Sequence, residues 1–259
     1  MISSAPTGKL VGRPATSCFL SPMENKHIDT MEREMTPIKF LRRHWHDIGL
    51  FSAIVTAACL IFAWHELAFL QKLLLLNFIV VLLHQFEEYS WPGGFPAVAN
   101  MVMMPSATPD RYPLNQNSSM AANLVFAYGF YLLPVFFPNV IWLGLAPVLV
   151  GAILQVIGHA IFVNIKLRSF YSPGVATAVF GHLPIGVIYI HRILTNNMVN
   201  SWDWLLAVAY LAAFGFLNFF IIEIKLLGDK NSPYPFDQDE MKRFDIERKL
   251  ELARQYKER

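Results

Sequence analysis

Six apolar runs fill residues 48–223 and leave that stretch nearly free of charge. A helix needs ~20 mostly apolar residues to cross a ~30 Å hydrocarbon core. The runs lie at about 48–64, 67–88, 120–138, 141–164, 174–191 and 202–225. Only 15% of the chain is charged, against about 25% for a soluble domain. A soluble core of this length would still need charge on its outer surface. The pattern therefore predicts an all-α, polytopic transmembrane helical bundle of about six spans. Disorder is excluded from the middle of the chain, because disorder requires low hydrophobicity. The net charge of +2 gives no reason to expect a nucleic-acid partner. Two cysteines, Cys18 and Cys59, are too few for a disulfide scaffold or a Cys-rich metal cluster.

The flanks are different material. We divide the chain into a disordered leader at 1–40, a transmembrane helical domain at 41–226 and a charged, partly helical tail at 227–259. The leader is rich in Ser, Thr and Pro up to residue 36 and shows no amphipathic pattern. Its first 23 residues carry Lys9 and Arg13 but no acid, a composition loosely like an organellar transit peptide. The plainer reading is a variable leader, with Met31 or Met35 as alternative starts. From Asp237 onward acids and bases alternate at helical spacing, which predicts a solvated helix with Glu251 in reach of Arg254. A protein partner for this tail is the alternative.

Orientation follows from the bases. Lys and Arg concentrate on the cytoplasmic side of short loops. Lys39, Arg42 and Arg43 precede the first run, and six spans then put Arg111, Lys166, Arg168, Lys225 and Lys230 on the same side. Lys72 and Arg192 are left on the other. Both termini are expected in the cytoplasm, in a membrane the sequence does not name.

Ionisable groups at the end of a span are costly and so are functional candidates. The second run ends His84-Gln85-Phe86-Glu87-Glu88. Positions i, i+3 and i+4 share a helix face, which sets His84 beside both carboxylates. Imidazole and carboxylate can hold one divalent metal ion. They can equally form an acid/base pair in which burial and a neighbouring charge raise one carboxylate. A hydrated cap at the interface is the bland alternative. The fourth run ends at the same level with His159 and Asn164. Asn115, Asn117, Asn123, His182 and Glu223 also fall there if six spans is right.

His84-Gln85-Phe86-Glu87-Glu88 resembles the HXXEE motif of the HXXEE-domain membrane proteins. That family is described by this motif together with a further Asn and His. The likeness covers roughly the second run through the fifth or sixth. Trp91-Pro92-Gly93-Gly94 and Tyr171-Ser172-Pro173-Gly174 add to it. The resemblance makes His159 the match for the second His, and Asn164 or Asn123 the match for the Asn.

Two functions are open at this stage. The first is an enzyme acting on a lipophilic substrate at a site near the cytoplasmic face. His84, Glu87, Glu88 and His159 would be metal ligands or acid/base groups, and Asn164 an orienting residue. No Ser or Cys nucleophile is paired with a base, which disfavours acyl transfer. Isomerase- or cyclase-like proton transfer needs no metal. The second is a non-enzymatic transporter or membrane scaffold with a structural polar cluster. The bilayer is the partner common to both.

Overall fold

The computed structural model describes residues 37–257. Residues 1–36 of the leader, with its alternative starts, lie outside the described residues. Helices account for about three quarters of the described residues, with no strands among them. Six of them are long and apolar enough to cross a membrane: α1 (Pro37–Phe62), α2 (Phe69–Tyr89), α4 (Gln116–Phe136), α5 (Ile141–Leu167), α6 (Val175–Thr195) and α7 (Ser201–Leu226). A short helix, α3, runs through Phe95–Ala97 and continues in wider turns over Val98–Met103. Two tail helices follow, α8 (Gln238–Lys242) and α9 (Ile246–Lys257).

Local chemistry sets the boundaries. α2 is Leu-rich, has no internal Gly or Pro, and stops where Gly93 and Gly94 take positive φ. α4 opens on a capping box in which Asn115 accepts from the amides of Asn117 and Ser118, and Ser118 reciprocates. α7 opens the same way on Asn200 and Asp203. Asn115 is thus a helix cap, and its amide also ties the start of α4 to the Leu227 carbonyl beyond α7. Pro134 lies in a tight turn that closes α4.

Two sequence expectations change. Residues 37–40, placed in the disordered leader, are the first turn of α1, which is helical well ahead of the apolar run that starts near residue 48. Its polar opening turns stay helical because Trp45 and His46 bury against the Tyr89 ring at the end of α2. The tail helix is not solvated all round. Ile246 and Ala253, seven residues apart on one face, are buried, with Ile246 in a cluster that holds Val163 and Leu167 of α5. Tail ion pairs join Arg243 to Asp239 and Arg248 to Asp245, while Arg168 stacks on Tyr256.

α2 is the central element. Of its most apolar stretch 56% is buried, against 11% for α7, which lies at the edge. Leu74, Phe78 and Leu82 of α2 pack with Phe126 and Phe130 of α4, Leu145 and Val148 of α5, and Tyr189 and Ile193 of α6. α5 and α6 approach closely because a side chain at Gly186 would meet Ala152, the small-residue contact that lets membrane helices pack. α7 packs on α4 and on the first half of α5, and its second half parts from α5.

The tail closes over the end of the bundle where α2 stops. Arg243 donates to the Tyr89 carbonyl at 2.7 Å and the Ser90 carbonyl at 3.1 Å. It thereby supplies a cation and donors to helix-end carbonyls that lack intrahelical partners. Only glycine fits at Gly94, where a Cβ would lie 2.6 Å from the Arg243 carbonyl oxygen. Arg43 pairs with Asp237, and Gln116 donates to Glu240. Arg243→Ala should lower stability by about 1–3 kcal/mol, the range for hydrogen bonds to a charged group. Limited proteolysis should then cut the tail faster than in the wild type, while an unchanged cleavage rate would mean the tail is held elsewhere.

Candidate functional site

The two carboxylates of the motif have separate surroundings. Successive helical residues differ by about 100°, so Glu87 and Glu88 point to different neighbours. Glu87 turns to the start of α6, where it accepts from the amides of Ala176 (3.0 Å) and Thr177 (2.9 Å), the Thr177 hydroxyl (2.6 Å) and the Tyr171 hydroxyl (2.6 Å). Those amides belong to the first turn of a helix, where backbone donors are unpaired and the dipole favours an anion. Burial pushes the Tyr171 phenol well above its ordinary range, and its hydrogen bond to Glu87 adds to the rise. Tyr171 therefore stays a donor at physiological pH.

His84 reaches Glu87 only through Thr177. Its Nδ1 is 2.8 Å from the Thr177 hydroxyl oxygen. A carboxylate only accepts, so Thr177 donates its one proton to Glu87 and accepts from His84. That puts the His84 proton on Nδ1 and leaves Nε2 a lone pair. Nε2 is buried and has no hydrogen-bond partner. It lies 3.6 Å from Glu88 Oε1.

Glu88 faces His159. Its Oε1 is 3.2 Å from His159 Nε2, and one donor atom from each of His84, Glu88 and His159 lies within 4.8 Å of the others. All three side chains are buried. The two imidazoles meet edge to face at 4.9 Å between centroids. Gly174 sits against both rings. It has φ +97, and a Cβ there would fall 2.7 Å from His159 and 2.8 Å from His84. The Tyr-Ser-Pro-Gly segment thus ends in a residue whose missing side chain makes room for the histidine pair.

These residues border a cavity of about 240 Å³. His84, Glu88 and His159 line one part, with Gln85, Asn123, Gln155 and Glu223 as its other polar members. Phe95, Met103, Met104, Leu114, Phe126 and Phe219 are among the apolar residues of the wall. Glu87 and Asn164 are not on it. The Asn164 amide donates to the Phe170 carbonyl at 3.1 Å, which ties down the connection after α5. Asn123 lines the cavity and accepts from Gln85. His182 lies deeper, 5.8 Å from the His84 ring, with Nδ1 at 2.7 Å from Asn77 Oδ1.

Residues 75–190 match the family described as "Protein of unknown function with HXXEE motif". This segment is an HXXEE-family domain. No curated protein and no solved structure matches the chain. The HXXEE match begins within α2 and ends within α6, so it encloses the triad, Gly174 and Thr177 but not Glu223.

Thr177 and Asn77 carry no signal in the sequence, since a lone Thr or Asn in an apolar run is ordinary. Glu223 does carry one, as an acid near the end of a span. The hydroxyl bridge yields a test of the geometry. Thr177→Val should leave His84 Nδ1 unpaired, while Glu87 keeps its two amide donors and Tyr171, and destabilise the protein by ~1–3 kcal/mol, the cost of one buried polar group left unpaired. Thr177→Ser should lose less than half as much. Equal losses, read from unfolding in detergent, would show that the methyl group matters and the bridge does not.

Proposed function

We propose that this chain is a membrane-embedded enzyme that acts on a lipophilic substrate at a single-metal centre formed by His84, Glu88 and His159. One observation carries this reading: three buried donor atoms of metal-ligating type lie within 4.8 Å of one another beside an apolar cavity. Two imidazoles and one carboxylate leave positions open for substrate, as in catalytic zinc and non-haem iron(II) sites. The donor chemistry fits such an ion. His84 presents an unpaired Nε2, and its other nitrogen is held through Thr177 by Glu87, the outer-shell arrangement that orients metal-bound histidine. A divalent ion bound there would polarise a substrate oxygen or lower the pKa of water.

Each of the chain's own groups has a distinct task. Glu88 supplies charge, His84 and His159 supply neutral nitrogen, and Glu87 holds the start of α6 in place. Glu223, on the same cavity, is the available proton acceptor or donor. The 3.2 Å contact between His159 and Glu88 supports a second reading, acid/base chemistry by that pair without a metal. A transporter or scaffold would use the cluster only for packing. The bases at this end of the bundle favour the cytoplasmic face for the site and both termini.

Metal analysis of protein purified in detergent separates these readings. About one equivalent of zinc or iron in the wild type, lost in His84→Ala and Glu88→Gln with the fold retained, is the expected result. A metal-free wild type that refuses added zinc and iron(II) would remove the metal centre. In the acid/base reading Glu88→Gln and His159→Ala should each cost ~10²–10⁴-fold in turnover, and the double variant no more than the worse single one. A reporter fused after Arg259 should read as cytoplasmic, and a lumenal or periplasmic reading would reverse the orientation.

A further inference from the structure

The cavity has an opening that the site chemistry does not use. α5 and α7 pack against each other through their first halves and part in their second halves, and the cavity lies where they part, lined by Leu154 and Gly158 of α5 and Phe219 and Glu223 of α7. Leu154 is 50% exposed and Phe219 42% exposed on the outer surface of the bundle. The same two side chains thus line the cavity and face outward. Leu154 stands about 20 Å from the end of α5, and Phe219 about 10 Å from the end of α7, at ~1.5 Å per residue. Both therefore lie at hydrocarbon depth, and the gap between them opens to lipid rather than to water.

Gly158 is an independent sign that space is kept there. A Cβ at Gly158 would meet nothing within 4 Å, in contrast to Gly151 and Gly174, which are pressed against histidine rings. No packing demand explains the missing side chain, but passage into the cavity does. Met103 and Met104 also line the cavity, and methionine adapts its shape readily to an occupant.

Size narrows the occupant. About 240 Å³ falls below the ~300–1,000 Å³ of sites that enclose drug-sized molecules. Fused rings or a two-chain lipid are therefore too bulky, whereas a polar head and the first carbons of one slender chain fit, the rest lying in the gap. His84, Gln85, Asn123 and His159 on the cavity wall offer hydrogen-bonding partners to such a head. We infer that the cavity takes a single-chain membrane amphiphile, loaded sideways from the bilayer between α5 and α7. This names the substrate class of the site proposed above and rests on that reading for its chemistry.

The test uses the full chain in phosphatidylcholine nanodiscs with a photoreactive hexadecanol whose diazirine lies near the hydroxyl. Labelling should map to residues 150–163 and 216–226 and fall at least tenfold with excess hexadecanol. Excess cholesterol should leave it in place. Gly158→Phe and Leu154→Trp should each cut the suppressible labelling at least tenfold. Leu154 is lipid-exposed, so its variant decides the matter if Gly158→Phe does not fold, as judged by thermal unfolding. Labelling that excess hexadecanol does not suppress, competition by cholesterol as strong as by hexadecanol, or full labelling in a folded portal variant would overturn the inference. Metal content is read on the same samples. Suppressible labelling without metal would remove the metal centre and keep the amphiphile site; metal without suppressible labelling would do the reverse.

Discussion

Glu87 is the interaction on which the rest of the site hangs. A carboxylate at the end of a membrane span is stable only where fixed donors replace water. Here the donors come from another span: two backbone amides of the first turn of α6, the Thr177 hydroxyl and the Tyr171 hydroxyl. The contact joins the end of α2 to the start of α6. It sets the Thr177 hydroxyl against His84 and brings Gly174 beneath both imidazoles. Glu88 is thereby left facing the cavity and His159.

The neighbouring acids thus illustrate how a membrane protein divides a costly resource. One carboxylate is tied into the architecture and the other faces the cavity. The difference arises from the ~100° step between successive helical residues and from what stands opposite each side chain. Around the cluster, three segments turn in the wide i→i+5 manner, Val150–Val163, Ala178–His182 and Phe216–Leu226. They carry His159, His182 and Glu223. Such widening re-aims side chains and recurs at functional sites.

The tail adds a second layer. Arg243 holds the carbonyls at the end of α2, and the Phe244 ring rests on Tyr171 at 5.4 Å, itself the partner of Glu87. Residues remote in sequence from the motif therefore buttress it from the polar side. The charged composition of the tail conceals this, because the anchors are two apolar residues, Ile246 and Ala253, and one arginine among many charges.

The sequence by itself determined the bundle of six apolar helices, because hydrophobic length and the need to satisfy backbone groups in lipid leave no other solution for such runs. It also singled out His84, Glu87, Glu88, His159 and Asn164 as candidates, since ionisable groups are rare at such depth. What it did not determine is which acid does what. Helical spacing puts Glu87 and Glu88 equally near His84, and only α6 breaks the tie. Nor did it choose between Asn164 and Asn123. Asn164 is drawn to the Phe170 carbonyl and Asn123 to the cavity wall, a difference set by what packs opposite each side chain. Thr177, Gly158 and the parting of α5 from α7 were decided by tertiary structure alone. A hydroxyl becomes a bridge, and a missing side chain an opening, only once another helix is packed beside it.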